Sequence, residues 1–332
     1  MLGGQNPLPQ ILAAFRQADY RSLPLILIIL VLFYWLKAVR WKLLLSPVGQ
    51  FRAVRDLLGP ILIGFGFNNV LPARIGEVIR VGVFARQQKQ SIALTASTVV
   101  LERIFDGMAI LFYFAIGLLF VEGLDPRIKQ AALVFAAVAG SFVLGALAYV
   151  LWTGPFIRLF EAVMRRIPLV PQRLTEKISR VLERGALGLA ALKDPRLVIV
   201  IMGLSLVKWG LNGLLVLLSL WSFGLPHTFP IAMVLLGAIA FGISIPSSPG
   251  YVGVMQAIFM EVMQFFTDNR EGVFAASIYF QFTQWIPVTI AGLTCFALTG
   301  MSLKQIEATA PSTEQPADDT PVESDLAANS QR

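Results

Sequence analysis

One cysteine and one histidine are all that the 332 residues supply. Cys295 lies inside an apolar run and has no second cysteine to bridge to, which excludes an intrachain disulfide and any Cys-based zinc or iron–sulfur site. A lone His227 removes His-cluster metal sites, so neither a metal nor a cofactor is expected. Charge is scarce as well. Asp, Glu, Lys and Arg make up 14% of the chain, where soluble domains carry about a quarter. Catalytic templates are also missing. There is no G-x-x-x-x-G-K-[ST], no G-x-S-x-G and no dinucleotide fingerprint opening a helix, and the chain is read as a non-enzyme. What the sequence does have is apolar residues, 56% of the total, and a mean hydropathy of +0.71. Too little polar surface remains to face water all round, and a polytopic, all-α membrane protein is the expectation.

The formal charge of +7 invites a nucleic-acid reading that its distribution argues against. The acidic stretch 304–332 holds two basic and six acidic residues. Residues 1–303 therefore carry 25 basic against 14 acidic residues, a net of +11. Those charges sit between apolar runs, where they orient a chain across a bilayer. No DNA- or RNA-binding motif accompanies them. Membrane lipids, and not nucleic acid, are the expected partners.

A helical span needs about 20 apolar residues, and five runs qualify: about 22–40, 92–121, 131–152, 197–221 and 272–299. The first follows Arg16 and Arg21 in the manner of a signal peptide. It has no small-residue cleavage site and runs into Lys37, Arg40 and Lys42, as an uncleaved anchor would. Two further apolar regions are interrupted. Residues 57–71 carry Gly59, Pro60, Gly64 and Gly66, then meet Asn68, Asn69 and Pro72. Residues 231–247 end at Ser247, Ser248, Pro249 and Gly250, and a second apolar run, 251–266, follows. Broken runs of this kind suit re-entrant or discontinuous helices, whose unpaired backbone must be buried in protein or line a wet cavity. A Pro-kinked full span is the alternative.

Basic segments then set an orientation. Residues 153–196 contain nine Lys and Arg against four acids, and 40–56 contains Arg40, Lys42, Arg52 and Arg55. Both are expected on the cytoplasmic side. One layout satisfies them: N-terminus outside, 22–40 entering, 57–90 dipping from the cytoplasm, 92–121 leaving, 131–152 returning and 197–221 leaving again. Residues 231–266 then dip from outside, and 272–299 returns. Full crossings at the dips would put Arg80, Arg86 and Lys89 outside. Residues 153–196 read as a cytoplasmic amphipathic linker, and 304–332 as a disordered acidic cytoplasmic tail.

A shift of 177 residues lays Pro72 and Gly76 onto Pro249 and Gly253. It also lays span 22–40 onto 199–217, dip 57–71 onto 234–248 and span 92–121 onto 269–298. In the layout above the two dips enter from opposite sides, so repeat one (about 22–121) and repeat two (about 197–299) are expected to be inverted copies, with 131–152 connecting them. Paired interrupted segments in such a repeat point to a transporter's binding site.

Three polar groups stand out against this background. In LPARIGEVIR, Arg74, Glu77 and Arg80 recur every three residues and make a stripe on a helix. Two guanidiniums held apart by a carboxylate would suit a phosphate-bearing headgroup; orienting charges in a cytoplasmic loop are the alternative. In VVLERIFDG, Glu102 and Asp106 share a helix face, and Arg103 reaches Asp106 at i,i+3. A charge at mid-bilayer costs at least about 2.5–3.5 kcal/mol, so these residues need partners or water, as a cavity wall or as a salt-bridged lock between helices. Lys208 lies mid-span with Asn212 one turn on. It would bind an anionic headgroup or neutralise Glu102 or Asp106. Gln281 and Gln284 line the same cavity or join helices.

The order AVRWKLLL, NNVLPARIGEVIR, TASTVVLERIFDG and IPSSPGYVGV resembles the lysylphosphatidylglycerol synthase transmembrane-region family, also called flippase-like domains, over roughly residues 22–299. By that resemblance Arg40, Trp41, Pro72, Arg74, Gly76, Glu77, Arg80, Glu102, Arg103, Asp106, Pro249, Gly250 and Gly253 fall on motif positions. Ala73 replaces a frequent glycine, and Gln256 a frequent glutamate. A further N-terminal span and the aminoacyl-transferase domain of two-part members are expected to be absent. The resemblance implies an inner-membrane flippase moving a phospholipid, aminoacyl-lipid, isoprenoid or hopanoid between leaflets. Arg74, Arg80 and Lys208 would engage the headgroup. Glu102, Arg103 and Asp106 would form a charge network, Glu77 would hold the guanidiniums of Arg74 and Arg80 apart, and Asn68, Asn69, Pro72, Gly76, Pro249, Gly250 and Gly253 would shape the re-entrant tips. The alternatives are a membrane-embedded lipid-modifying enzyme and a non-transporting partner of a lipid-biosynthesis enzyme.

Overall fold

The computed structural model describes residues 8–46, 54–72, 74–152, 192, 194–244 and 248–301. The expected amphipathic linker lies almost wholly outside the described residues, and the acidic tail entirely so. Among the described residues the regular structure is helical throughout: α1 (Leu8–Gln17), α2 (Ser22–Leu45), α3 (Arg55–Val70), α4 (Ile75–Gln87), α5 (Ile92–Phe120), α6 (Pro126–Leu151), α7 (Pro195–Ser222), α8 (Phe229–Gly242), α9 (Val254–Met263) and α10 (Arg270–Leu298), with a short 3-10 turn at Pro249–Tyr251.

The helices fall into two length classes. At 1.5 Å per residue, α2, α5, α6, α7 and α10 run about 36–44 Å, beyond the roughly 30 Å of a hydrocarbon core. α2, α5 and α7 are both long and apolar enough to cross a membrane. Gln281 and Gln284 dilute the apolarity of α10. By the same measure α3, α4, α8 and α9 run only about 15–24 Å, too short to cross alone. Each short pair packs together, α3 against α4 and α8 against α9.

Local sequence explains where the helices start and stop. α6 starts at Pro126, earlier than the run at 131 suggests, because Asp125 accepts from the Arg127 amide at 2.7 Å and proline suits the first helical position. Asp194 and Pro195 open α7 in the same way. α3 stops at Val70 because Pro72 forces Leu71 into an extended conformation, ψ 146°. The break expected inside 57–71 is therefore at its end, and Pro60 and the glycines stay within a continuous helix. α2 continues to Leu45, which places Arg40 and Lys42 on a helix and not in the basic loop expected over 40–56. The helix α1 carries no apolar run long enough to announce it. It packs against α10, while Phe15 meets Phe223, just past the end of α7, edge-on and the Asp19 amide donates to the Ser222 carbonyl at 2.8 Å.

Adding 177 to the bounds of α2, α3, α4 and α5 gives 199–222, 232–247, 252–264 and 269–297, close to those of α7, α8, α9 and α10. The packing follows the same pairing. α5 packs on α8 and α10 packs on α3; α2 packs on α3 and α7 packs on α8. α2 and α7 lie against each other antiparallel, since Ser22 meets Ser222 at 2.6 Å while Arg40 meets Ser205 at 2.7 Å. Glycines make both crossings close: a Cβ on Gly117 would press on Pro230 and Val234, and one on Gly66 would stand 3.0 Å from the Gly292 Cα. Small residues at such crossings let membrane helices approach. Two large apolar cores result among the described residues, beside a small third one where α3 and α4 meet the end of α10. One joins the C-terminal half of α2 to α3, α4 and the start of α5. The other joins the N-terminal half of α2 and the end of α5 to α7, α8, α9 and α10.

Candidate functional site

Between the two cores lies a buried charge network. Glu102 and Asp106, one turn apart on α5, project from one face of that helix. Lys37 and Arg40 approach from α2, Arg80 from α4 and Lys208 from α7, and all six residues are between 0 and 3% exposed. Glu102 pairs with Lys37 and Arg40 through Oε1, the latter at 3.3 Å, and with Arg80 through Oε2 at 2.9 Å. Asp106 Oδ1 accepts from Arg40 at 2.6 Å, Lys208 at 2.5 Å and the Trp209 indole at 2.9 Å. Arg40 also donates to Ser205 at 2.7 Å, tying α2, α5 and α7 at one point.

Aromatic faces support the cations. The Arg80 guanidinium lies 3.9 Å from the centroid of Trp41, whose indole donates to Thr98 at 3.1 Å. Lys37 stands over Phe65, and Lys208 over Phe33 and Trp209. Ring quadrupoles attract a desolvated cation but carry no counter-charge. Four buried cations therefore face two buried carboxylates.

Arg103 and Glu77 pair at 2.9 Å on the more open edge of this network, with Arg103 also 4.0 Å from Asp106. The stripe expected of Arg74, Glu77 and Arg80 does not form. Glu77 turns to Arg103, Arg80 turns inward to Glu102, and Arg74 caps α4 in a left-handed conformation, φ 57°. From there Arg74 donates to the Tyr251 hydroxyl at 3.0 Å and to the Ile243 carbonyl, bridging the tips of the two short helix pairs.

The remaining predicted positions build those tips. Pro72 ends α3. Gly76 lets α4 fold tightly back, since a Cβ there would strike the Gly64 carbonyl and Asn68. The Asn68 side-chain oxygen is buried with no hydrogen-bond partner. Asn69 donates to Thr289 at 2.9 Å and to the Trp285 carbonyl, and the Trp285 indole returns a bond to the Asn69 carbonyl. Pro249 opens the 3-10 turn, while Gly250 (φ 61°) and Gly253 (φ 88°) supply conformations that a side chain resists. Gln281 donates to the Gly250 carbonyl and accepts from Gln256, both at 2.6 Å, and Gln256 accepts from the Gly253 amide at 2.7 Å.

A cavity of about 200 Å³ runs beside the network, walled by α2, α3, α5 and α7 to α10. Lys37, Arg103, Asp106 and Lys208 supply its charged lining, Asn69, Asn212, Gln281 and Gln284 its neutral polar lining, and Phe33, Tyr34, Phe65, Trp209 and Trp285 its aromatic walls. Of the charged residues expected at the site, Arg103, Asp106 and Lys208 reach the cavity. Glu102 and Arg80 stand behind it, and Arg74 stands at the helix tips. Lys37 and Trp209 reach it without having been expected, and Arg40 joins the network although it reads as a loop charge. The acid pair held the clue: two carboxylates at i,i+4 in an apolar helix require buried cations, and Lys37 and Arg40, at i,i+3 in another apolar run, are the match.

A helical membrane bundle enclosing a charge network and a polar cavity between its helices is the class of protein that fold and site define. Residues 8–292 match the family described as lysylphosphatidylglycerol synthase TM region, and the chain belongs to that family. The match begins at α1, upstream of the span where the motifs start. A UPF0104 membrane protein of Methanocaldococcus jannaschii is 25% identical over 233 residues, which cover 69% of this chain and 92% of that protein. No solved structure matches.

Proposed function

We propose that the chain is a multi-pass inner-membrane flippase that carries an amphiphilic lipid between leaflets, holding its headgroup in the cavity while the tails stay in the bilayer. The cavity carries this reading. Its lining combines charged and polar side chains with aromatic faces set against the lysines, and at about 200 Å³ it has room for a headgroup and several waters but not for acyl chains. Its walls come from both halves of the chain. The 177-residue correspondence and the antiparallel α2 and α7 support an inverted repeat, the architecture in which transporters place their substrate between halves that rock against each other. The short pairs α3–α4 and α8–α9 support dips from opposite sides. With Lys37, Arg40 and Arg80 buried, the orientation rests on Lys42, Arg52, Arg55, Arg86, Lys89 and segment 153–196, which keep the N-terminus outside and the C-terminus cytoplasmic.

Glu102 and Asp106 accept hydrogen bonds from cations on three of their four oxygens, and Arg103 stands 4.0 Å from the fourth. That favours an electrostatic scaffold over the acid–base pair a lipid-modifying enzyme would use. The test is leaflet exchange in liposomes containing the purified chain and fluorescent phospholipids. Exchange at least tenfold above protein-free vesicles is expected, falling severalfold in Asp106→Asn. Equal exchange with and without wild-type protein, across several lipid classes, would overturn the reading.

A further inference from the structure

We infer that the headgroup bound in the cavity carries two negative charges on a terminal phosphate, as a phosphomonoester or diphosphate lipid does, and not the single charge of a phosphodiester. The inference rests on the proposed lipid-binding role of the cavity and adds the charge its ligand must bring.

Charge balance is the first ground. Lys37, Arg40, Arg80 and Lys208 are all at most 1% exposed, and Glu102 and Asp106 are the buried carboxylates facing them. The network is left two positive charges in excess, while Glu77 is taken by Arg103. Buried charges away from water require a counter-charge, and α2, α4, α5 and α7 contribute no further carboxylate to this network. A phosphomonoester carries about −1.5 to −2 at pH 7 with three terminal acceptor oxygens. A phosphodiester brings one charge and leaves half the excess in place. A headgroup with an added amine returns a positive charge to a site that already has too many.

Unused donors are the second ground. Each ammonium has three N–H groups. Lys37 meets one acceptor, Glu102, and Lys208 one, Asp106. Both lysines line the cavity, on helices that cross antiparallel. Their free N–H groups can bind phosphate oxygens there without disturbing the carboxylates. Asn212 and Gln284 add neutral lining for the rest of a headgroup. Behind them, Nε of Arg40 and Nε and Nη1 of Arg80 are buried with no hydrogen-bond partner, and the carboxylate oxygen that also lacks one, Asp106 Oδ2, faces Arg103 at 4.0 Å.

Thermal unfolding of the full chain in a neutral detergent tests this without requiring transport. The probes are short-chain phosphatidic acid, phosphatidylglycerol and phosphatidylcholine of identical tails, and inorganic phosphate. Phosphatidic acid is expected to bind at least tenfold more tightly than phosphatidylglycerol, and phosphatidylcholine to leave the midpoint unchanged. Lys37→Gln and Lys208→Gln each remove one excess charge. Each variant is expected to unfold no earlier than wild type without ligand and to lower the preference for phosphatidic acid at least fivefold. Equal affinity of the wild type for phosphatidic acid and phosphatidylglycerol would overturn the inference, as would a preference that persists in both variants. Stabilisation by inorganic phosphate equal to that by phosphatidic acid would overturn the lipid assignment and make free phosphate the ligand. Preferential binding without leaflet exchange would leave this inference standing and sink the flippase reading. Exchange with no preference among anionic lipids would do the reverse.

Discussion

Glu102 on α5 and Tyr279 on α10 stand 177 residues apart at matching places, and they keep different company. Glu102 meets Lys37, Arg40 and Arg80. Tyr279 meets the Ser22 hydroxyl at 2.9 Å, itself 2.6 Å from Ser222. The difference runs through the whole pair of halves. Under the same shift Lys37, Arg40, Glu77, Arg80, Arg103 and Asp106 correspond to Leu214, Leu217, Val254, Ala257, Phe280 and Thr283. The first set of helices holds every charge of the network but Lys208, and its counterpart supplies most of a larger apolar core. A scaffold whose halves agree in length, packing partners and glycine crossings thus tolerates opposite interiors. What constrains it is the crossings, while the interior chemistry is free to specialise.

Glu102→Gln should break the charged half most severely. It strips the paired carboxylate from Lys37 and Arg80 and leaves Arg40 only Asp106, and breaking such pairs costs about 3–5 kcal/mol. A loss of most folded protein on detergent size exclusion is expected, with partial recovery when Lys37→Met is added, because the second change removes one stranded charge. Gly292→Ala and Gly117→Ala compare the crossings directly. Each new Cβ meets backbone, Leu62 in one case and Pro230 and Val234 in the other. Overpacking of about 1–3 kcal/mol is expected at both sites. Thermal midpoints that fall for one and not the other would show that the crossings are not equivalent. Tyr279→Phe, the neutral counterpart, removes one hydrogen bond worth about 0.5–1.5 kcal/mol. A drop of only a few degrees is expected, and a loss as large as that of Glu102→Gln would erase the distinction between the halves.

Most of the helices were legible because their apolar runs are long and their ends carry proline, aspartate or asparagine. The correspondence of the halves was legible too, since a shift of 177 predicts α5 and α10 to within a residue. α1 was not, because ten residues with one apolar stripe look the same whether or not they dock. The site was half legible. Glu102, Asp106 and Lys208 declared themselves as charges deep in apolar runs. Lys37 and Arg40 did not, for a basic residue near the end of such a run reads alike whether it turns to water or inward. Arg74 was misread for a local reason: its left-handed backbone takes it off the helix whose stripe it was expected to share.

Arg74 and Tyr251 are also 177 residues apart, both adopt φ near 60°, and they touch. A contact between two residues that hold the same place in paired units is its own image when the units exchange conformations. Under the proposed repeat it therefore persists in both facing states, like the pin of a pair of scissors. The bonds between Asn69 and Trp285 have no such protection. Their image falls on Pro246 and Met108, which have neither an amide nor an indole to remake them. If the halves trade places, Arg74–Tyr251 is where the molecule turns, and Asn69–Trp285 is what opens.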